Sequence, residues 1–165
     1  MNKALRYTLG VLALIGFTLS LLAHVMALFG MNLATTVAAV WDLHFGIFAV
    51  FVPFIFLSRN DLQGRRSLGV LAESVPPWVG VIGAALFIYA MANFLLFAMH
   101  SAGGNPVEQH GKYLVMNHGK LIREVTASEY AGLRTNELRG FSGHWLLFYF
   151  VPAAYFLFWK RKEAS

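Results

Sequence analysis

Four histidines are the residues of this sequence best suited to chemistry. His24, His44, His100 and His144 each fall in or at the end of one of four apolar runs, and all four sit at the same level of those runs. Neutral imidazole is the commonest metal ligand and can also ligate haem iron axially. Ionisable side chains within apolar spans are costly and often functional. Helices packed as a bundle would bring the four rings to one level, so a zinc or copper site, or one haem between two helices, is one expectation. Shared ligation would require the rings to converge within about 5 Å, since metal–nitrogen distances are near 2 Å. The competing expectation carries more weight: histidines near span ends bond to backbone carbonyls or water and have a structural role. No His-x-x-x-His and no Glu-x-x-His pair occurs within a run, and a single level does not suit two stacked haems. Proton relay through Asp42, His24 or His144 is a third expectation.

Other polar residues invite narrower readings. Asp42 shares a helical face with Gly46, Ala49 and Pro53, so it is expected to point inward and pair with a histidine or with Arg139, the alternative being a carboxylate solvated at the interface. Asn93, on a loose stripe with Tyr89 and His100, is expected to bond across to a neighbouring helix. His118 reads as a turn residue, and Lys120, Arg123 and Arg134 are balanced by Glu124, Glu129 and Glu137 as a solvated face. No Ser-His-Asp order, phosphate-binding glycine loop or paired catalytic carboxylate stands out, and Ser142-Gly-His144 is too local to supply a nucleophile and its base. Cysteine is absent, which excludes disulfides, thiolate metal sites and a cysteine nucleophile. These observations lean away from an enzyme.

The elements that must position these residues are apolar helices. Hydrophobic residues make up 58% of the chain and charged ones 13%, with mean hydropathy +0.58, which places it in the membrane class. The net charge of +5 comes from residues beside apolar runs, where membrane topology requires them, and does not signal nucleic acid. Spans are expected at about residues 7–29, 37–57, 77–100 and 144–159. Val25-Met26-Ala27 resembles a signal-peptide cleavage site, but the first run is long for a signal and is expected to remain as a helix. Ala13, Gly16, Ser20, Ala23 and Ala27 recur on it at three-to-four spacing, which predicts a close-packing face. Trp41, Trp78, Trp145 and Trp159 are expected at interfaces. Pro53 and Pro152 are expected to kink their helices.

One long polar interruption, residues 101–143, separates the third and fourth spans. Residues 101–106 read as a flexible exit. Two short strands flanking His118-Gly119 read as a β-hairpin, because glycine accepts the positive φ that a two-residue turn needs. Thr126-Ala-Ser-Glu129 matches a capping box. The helix that it starts, with Tyr130, Leu133 and Phe141 inward, is expected to run on through Gly140 and Gly143 into the fourth span. Residues 68–74 read as a short amphipathic segment. Lys3, Arg6, Arg59, Arg65, Arg66, Lys160, Arg161 and Lys162 all fall on the side of the termini. The positive-inside rule therefore places both termini in the cytoplasm and the hairpin outside. A weak internal similarity pairs His44 and Pro53 with His144 and Pro152, as if two helical hairpins were duplicated.

The segments Asn117-His-Gly-Lys120, Ile122-Arg-Glu-Val-Thr126, Arg139-Gly-Phe-Ser-Gly-His-Trp145 and Trp41-Asp-Leu-His-Phe-Gly46 resemble those of a group of small, uncharacterised bacterial membrane proteins. The resemblance implies a four-span inner-membrane protein and carries over no functional residue. The expected fold is thus an all-α membrane bundle with an outer hairpin and helix. The leading functional expectation is an accessory protein in the bilayer whose hairpin engages a protein partner or a second copy. The alternatives are a metal- or haem-binding protein using His24, His44, His100 and His144, and a small oligomeric transporter or channel.

Overall fold

The apolar runs fold as four helices: α1 (Lys3–Leu28), α2 (Asp42–Leu62), α3 (Pro77–Met99) and α4 (Ala127–Phe158). The computed structural model describes residues 2–62 and 74–159. All four helices are long and apolar enough to cross a membrane. Their starts follow the sequence. Asn2 caps α1 by accepting from the Ala4 amide at 3.0 Å, and Pro77 opens α3, where its missing N–H costs nothing. Two short 3₁₀ turns, Leu33–Thr35 and Ala38–Trp41, carry the chain from α1 into α2. Both α2 and α4 continue as helix through their internal prolines, Pro53 and Pro152.

The four helices do not form an evenly packed bundle. Helix α4 is central, and α1, α2 and α3 each pack on it, whereas α2 and α3 make no substantial contact with each other. Half (50%) of the most apolar stretch of α4 is buried, against 11% for α3. The small residues of α1 explain its close fit to α4. Ala13, Gly16, Ser20, Ala23 and Ala27 are all buried, as the spacing predicts. A Cβ at Gly16 would collide with the ring of Tyr149, and one at Gly10 would lie 2.5 Å from Leu157. Arg6 adds a polar clasp at the far end. Its guanidinium donates to the carbonyls of Phe156 (2.7 Å), Tyr155 (3.2 Å) and Trp159 (2.6 Å), which lie in or just past the last turn of α4. A cation there satisfies orphan acceptors and complements the helix dipole. Trp145 departs from expectation: it is 1% exposed, a core residue and not a surface anchor. Trp159 is likewise buried.

The polar interruption holds three strands, not two: β1 (Asn105–Gln109), β2 (Lys112–Asn117) and β3 (Lys120–Val125), an antiparallel sheet in that order. The expected flexible exit ends early, because Pro106 pairs with Val115 in the first strand. Proline donates no ladder hydrogen bond, and β1 lies at the sheet edge, where none is required. Both turns are His-Gly pairs with positive φ: His110 (53°) and Gly111 (76°), then His118 (48°) and Gly119 (79°). That geometry matches the right-handed twist of the strands. The inward face of the sheet, Val115 and Val125, packs on Leu133 of α4, and Tyr113 stacks on Tyr130 with ring centroids 4.7 Å apart. Thr126 caps α4 by accepting from the Glu129 amide at 3.2 Å. The helix then runs for 32 residues without a break at Gly140 or Gly143, as expected. Of the other expectations, the segment 68–73 and the basic residues Arg65, Arg66, Lys160, Arg161 and Lys162 lie outside the described residues.

Candidate functional site

The four histidines separate into different environments. His24 is 2% exposed where α1, α3 and α4 meet. Its Nδ1 lies 2.9 Å from Ser142 Oγ, and its Nε2 pairs with the Tyr89 hydroxyl. Ser142 Oγ lies 2.5 Å from the Leu138 carbonyl. One direction of donation satisfies the whole chain: Tyr89 donates to His24, His24 to Ser142, and Ser142 to the carbonyl. Beside it, Asn93 donates to the carbonyls of Arg139 and Gly140, both at 3.2 Å, as expected for a residue bonding across helices. Gly143 is what lets this cluster close, since a Cβ there would collide with Asn93 and crowd His24. Ser142 is fully buried with His24 beside it, so this pair holds helices together and offers no accessible nucleophile.

His44 and His144 lie on the other side of α4. There the gap between α2 and α3 forms a lateral cleft of about 420 Å³ floored by α4. Phe48 and Phe51 of α2 face Phe94 and Phe97 of α3, with Phe141 and Phe148 between them on α4. The lining holds three polar side chains: His44, His144 and Trp145. The Trp145 indole N–H donates to His44 Nδ1 at 3.1 Å. Because that nitrogen accepts, the neutral ring carries its proton on Nε2. His144 has the opposite arrangement. Its Nδ1 lies 2.8 Å from the Gly140 carbonyl, which can only accept, so Nδ1 holds the proton and Nε2 keeps a lone pair. Neither Nε2 has a partner among the described residues. The cleft therefore offers one N–H donor and one nitrogen acceptor against aromatic walls. Of the two, His144 alone presents the lone pair that a metal would need.

His100 stands apart, exposed at the end of α3 and bonded through Nδ1 to its own Leu96 carbonyl at 2.7 Å. Asp42 is exposed in the first turn of α2, and its carboxylate enters none of the ion pairs found among the described residues. Arg139 donates to Asn136 at 2.8 Å, and Asn136 in turn to the Phe97 carbonyl at 3.2 Å. Near the sheet, outside the apolar stretch of α4, Arg123 donates to Glu129, and this bond holds the Glu129 carboxyl below its ordinary pKa. No group of three His, Asp or Glu side chains comes together as a metal site among the described residues.

Helical spacing puts His44 on one face with Phe48 and Phe51, as found in the cleft, but the wall on α3, the floor on α4 and the role of Trp145 were missed. Their signal lay in spacing: Phe48 and Phe51, Phe94 and Phe97, and Phe141 and Phe148 are pairs three or seven apart, and such pairs share a helical face. No protein-family model matches the chain, and no curated protein or solved structure matches it either.

Proposed function

We propose that this chain is a non-enzymatic, four-span protein of the bacterial inner membrane that holds an apolar molecule from the bilayer in the cleft between α2 and α3. The observation that carries the reading is the cleft itself: an aromatic recess with few, well-placed polar groups is the usual form of a small-molecule site. Its position between two helices that make no substantial contact with each other gives a lipid-soluble molecule a sideways route of entry. Insertion is supported by an inside-out distribution of polarity. Buried positions include Ser20, His24, Asn93 and Ser142, while Phe45, Phe56, Val81, Ile88 and Leu95 are exposed. Bilayer-facing surfaces have this character, and large exposed apolar surfaces are rare on soluble proteins. The distribution of Lys and Arg then orients the termini to the cytoplasm and residues 101–143 to the outer, periplasmic side. Because cysteine is absent, a single cysteine at His118 should react with a membrane-impermeant maleimide on intact spheroplasts. Reaction only after lysis would reverse this orientation.

The cleft reading is tested by solvent extraction of protein purified in a mild detergent. Wild type should yield a stoichiometric amount of a lipophile other than bulk phospholipid. The double substitution Phe48→Glu with Phe94→Glu, at two exposed wall positions, should abolish that yield while the protein remains folded by circular dichroism. Unchanged yield would sink the reading.

A second reading rests on the outer sheet. β3 is an edge strand with Leu121 59% and Ile122 45% exposed, so its free edge offers pairing to a partner or to a second copy. Measurement of mass in nanodiscs should then find a dimer or a bound protein; a bare monomer counts against it.

A further inference from the structure

We propose that the ligand of the α2–α3 cleft carries a hydroquinone headgroup, with its ring among Phe48, Phe94, Phe97 and Phe141 and its hydroxyls bonded to His44 Nε2–H and His144 Nε2. This rests on the cleft reading above and adds the chemistry of the headgroup.

Three observations converge on it. First, the two histidines are fixed in opposite tautomers by groups of the protein itself, the Trp145 indole N–H for His44 and the Gly140 carbonyl for His144. The donor and the acceptor are thus set before any ligand arrives. Second, the lining contains no charged side chain, so phosphate, carboxylate or ammonium headgroups would be desolvated without a counter-charge. A neutral hydroxyl donates and accepts, and so matches both free nitrogens. Third, the walls are phenyl rings already in tilted and edge-on contact. His144 meets Phe94 at 5.5 Å, His44 meets Phe141 at 5.7 Å, and Phe97 meets Phe141 at 6.2 Å between centroids. A flat aromatic ring extends that pattern where a bare alkyl chain would not. Phe51 and Phe148, further along the same helices, continue the apolar track on which a tail would lie.

The geometry discriminates between redox states of the ligand. A hydroquinone hydroxyl can donate to His144 and accept from His44. The oxidised quinone offers acceptors only, so it satisfies His44 and leaves the His144 lone pair unpaired.

The test uses the full chain in nanodiscs, under anaerobic conditions, with decylubiquinol, decylubiquinone and 1-decanol as probes and tryptophan quenching as the readout. Decylubiquinol should bind about tenfold more tightly than decylubiquinone, the usual effect of one unpaired buried acceptor. His144→Leu should bring the two forms to equal affinity. Decanol, which has the hydroxyl and chain but no ring, should bind far more weakly than either. Equal affinity of the two redox forms in wild type would overturn the proposal, as would decanol matching the quinol. If none of the probes binds although the glutamate double variant loses its extracted lipophile, the headgroup is wrong and the cleft reading stands. If that variant keeps its lipophile, the cleft reading has failed first.

Discussion

The two sides of α4 use the same residue types for opposite ends. On the side of α1 and α3, His24, Ser142, Tyr89 and Asn93 are closed over one another, and each has its hydrogen bonds within the protein. On the side of the cleft, His44 and His144 are each tied at Nδ1 and left open at Nε2. The difference lies in the neighbours. Small residues, Gly143 above all, let α1 and α3 come close enough to α4 for His24, Ser142, Tyr89 and Asn93 to bond one another and its backbone. Phe48 and Phe51 of α2 and Phe94 and Phe97 of α3 line the cleft with no ring contact between the two helices among the described residues, and the second ring nitrogens stay uncovered. A histidine in an apolar helix is glue where the partner helix can approach and a potential ligand contact where it cannot.

The largest effect should come from forcing the closed side apart. Gly143→Leu, whose Cβ has no room beside Asn93 and His24, should lower stability by about 3 kcal/mol in a reversible detergent-unfolding assay. Phe94→Leu, at a half-exposed wall position, should cost less than about 1 kcal/mol. Equal costs would mean that the two sides do not differ in packing. The histidines make a sharper pair. His24→Ala should cost about 2–3 kcal/mol, because it leaves a cavity and strips a bond from both Ser142 and Tyr89. His144→Leu should cost less than about 1 kcal/mol, since its Nε2 has no protein partner. If the two substitutions destabilise alike, His144 is structural after all. The smallest effect is expected at Ser20, whose Oγ is buried without a hydrogen-bond partner. Ser20→Ala should be neutral or stabilise by up to about 1 kcal/mol, and a loss of stability would reveal a partner for that hydroxyl.

Much of this architecture was legible in the residues. The four long helices follow from the apolar runs, and the unbroken α4 follows from the Thr126 cap and helix-compatible residues up to Phe158. The small-residue face of α1 was readable because glycine and serine at three-to-four spacing have one main use between apolar helices. The third strand was also written in the chain: His-Gly-Lys occurs at 110–112 and again at 118–120, and each marks a tight turn. It was obscured by Pro106, which suggests a loop until its edge position is known. The central place of α4 was harder to read. It is the least apolar of the four helices, and it is also the most buried, so hydropathy alone did not point to its central place. Whether the histidines converge could not be read at all. The level of each ring follows from its place in the run, but which side of α4 it faces depends on the order of helices around that axis, and periodicity does not fix that order.

Helix α4 also has a mechanical consequence. It is a single rod of 32 residues with the sheet seated on one end and its other end gripped by Arg6. At 1.5 Å per residue it is about 48 Å long, so a tilt of about 5° about the Arg6 end swings the Thr126 end through about 4 Å. The floor of the cleft lies on the arm of this lever, between fulcrum and load. A tilt of that kind would carry Phe141, His144 and Phe148 past the walls that face them.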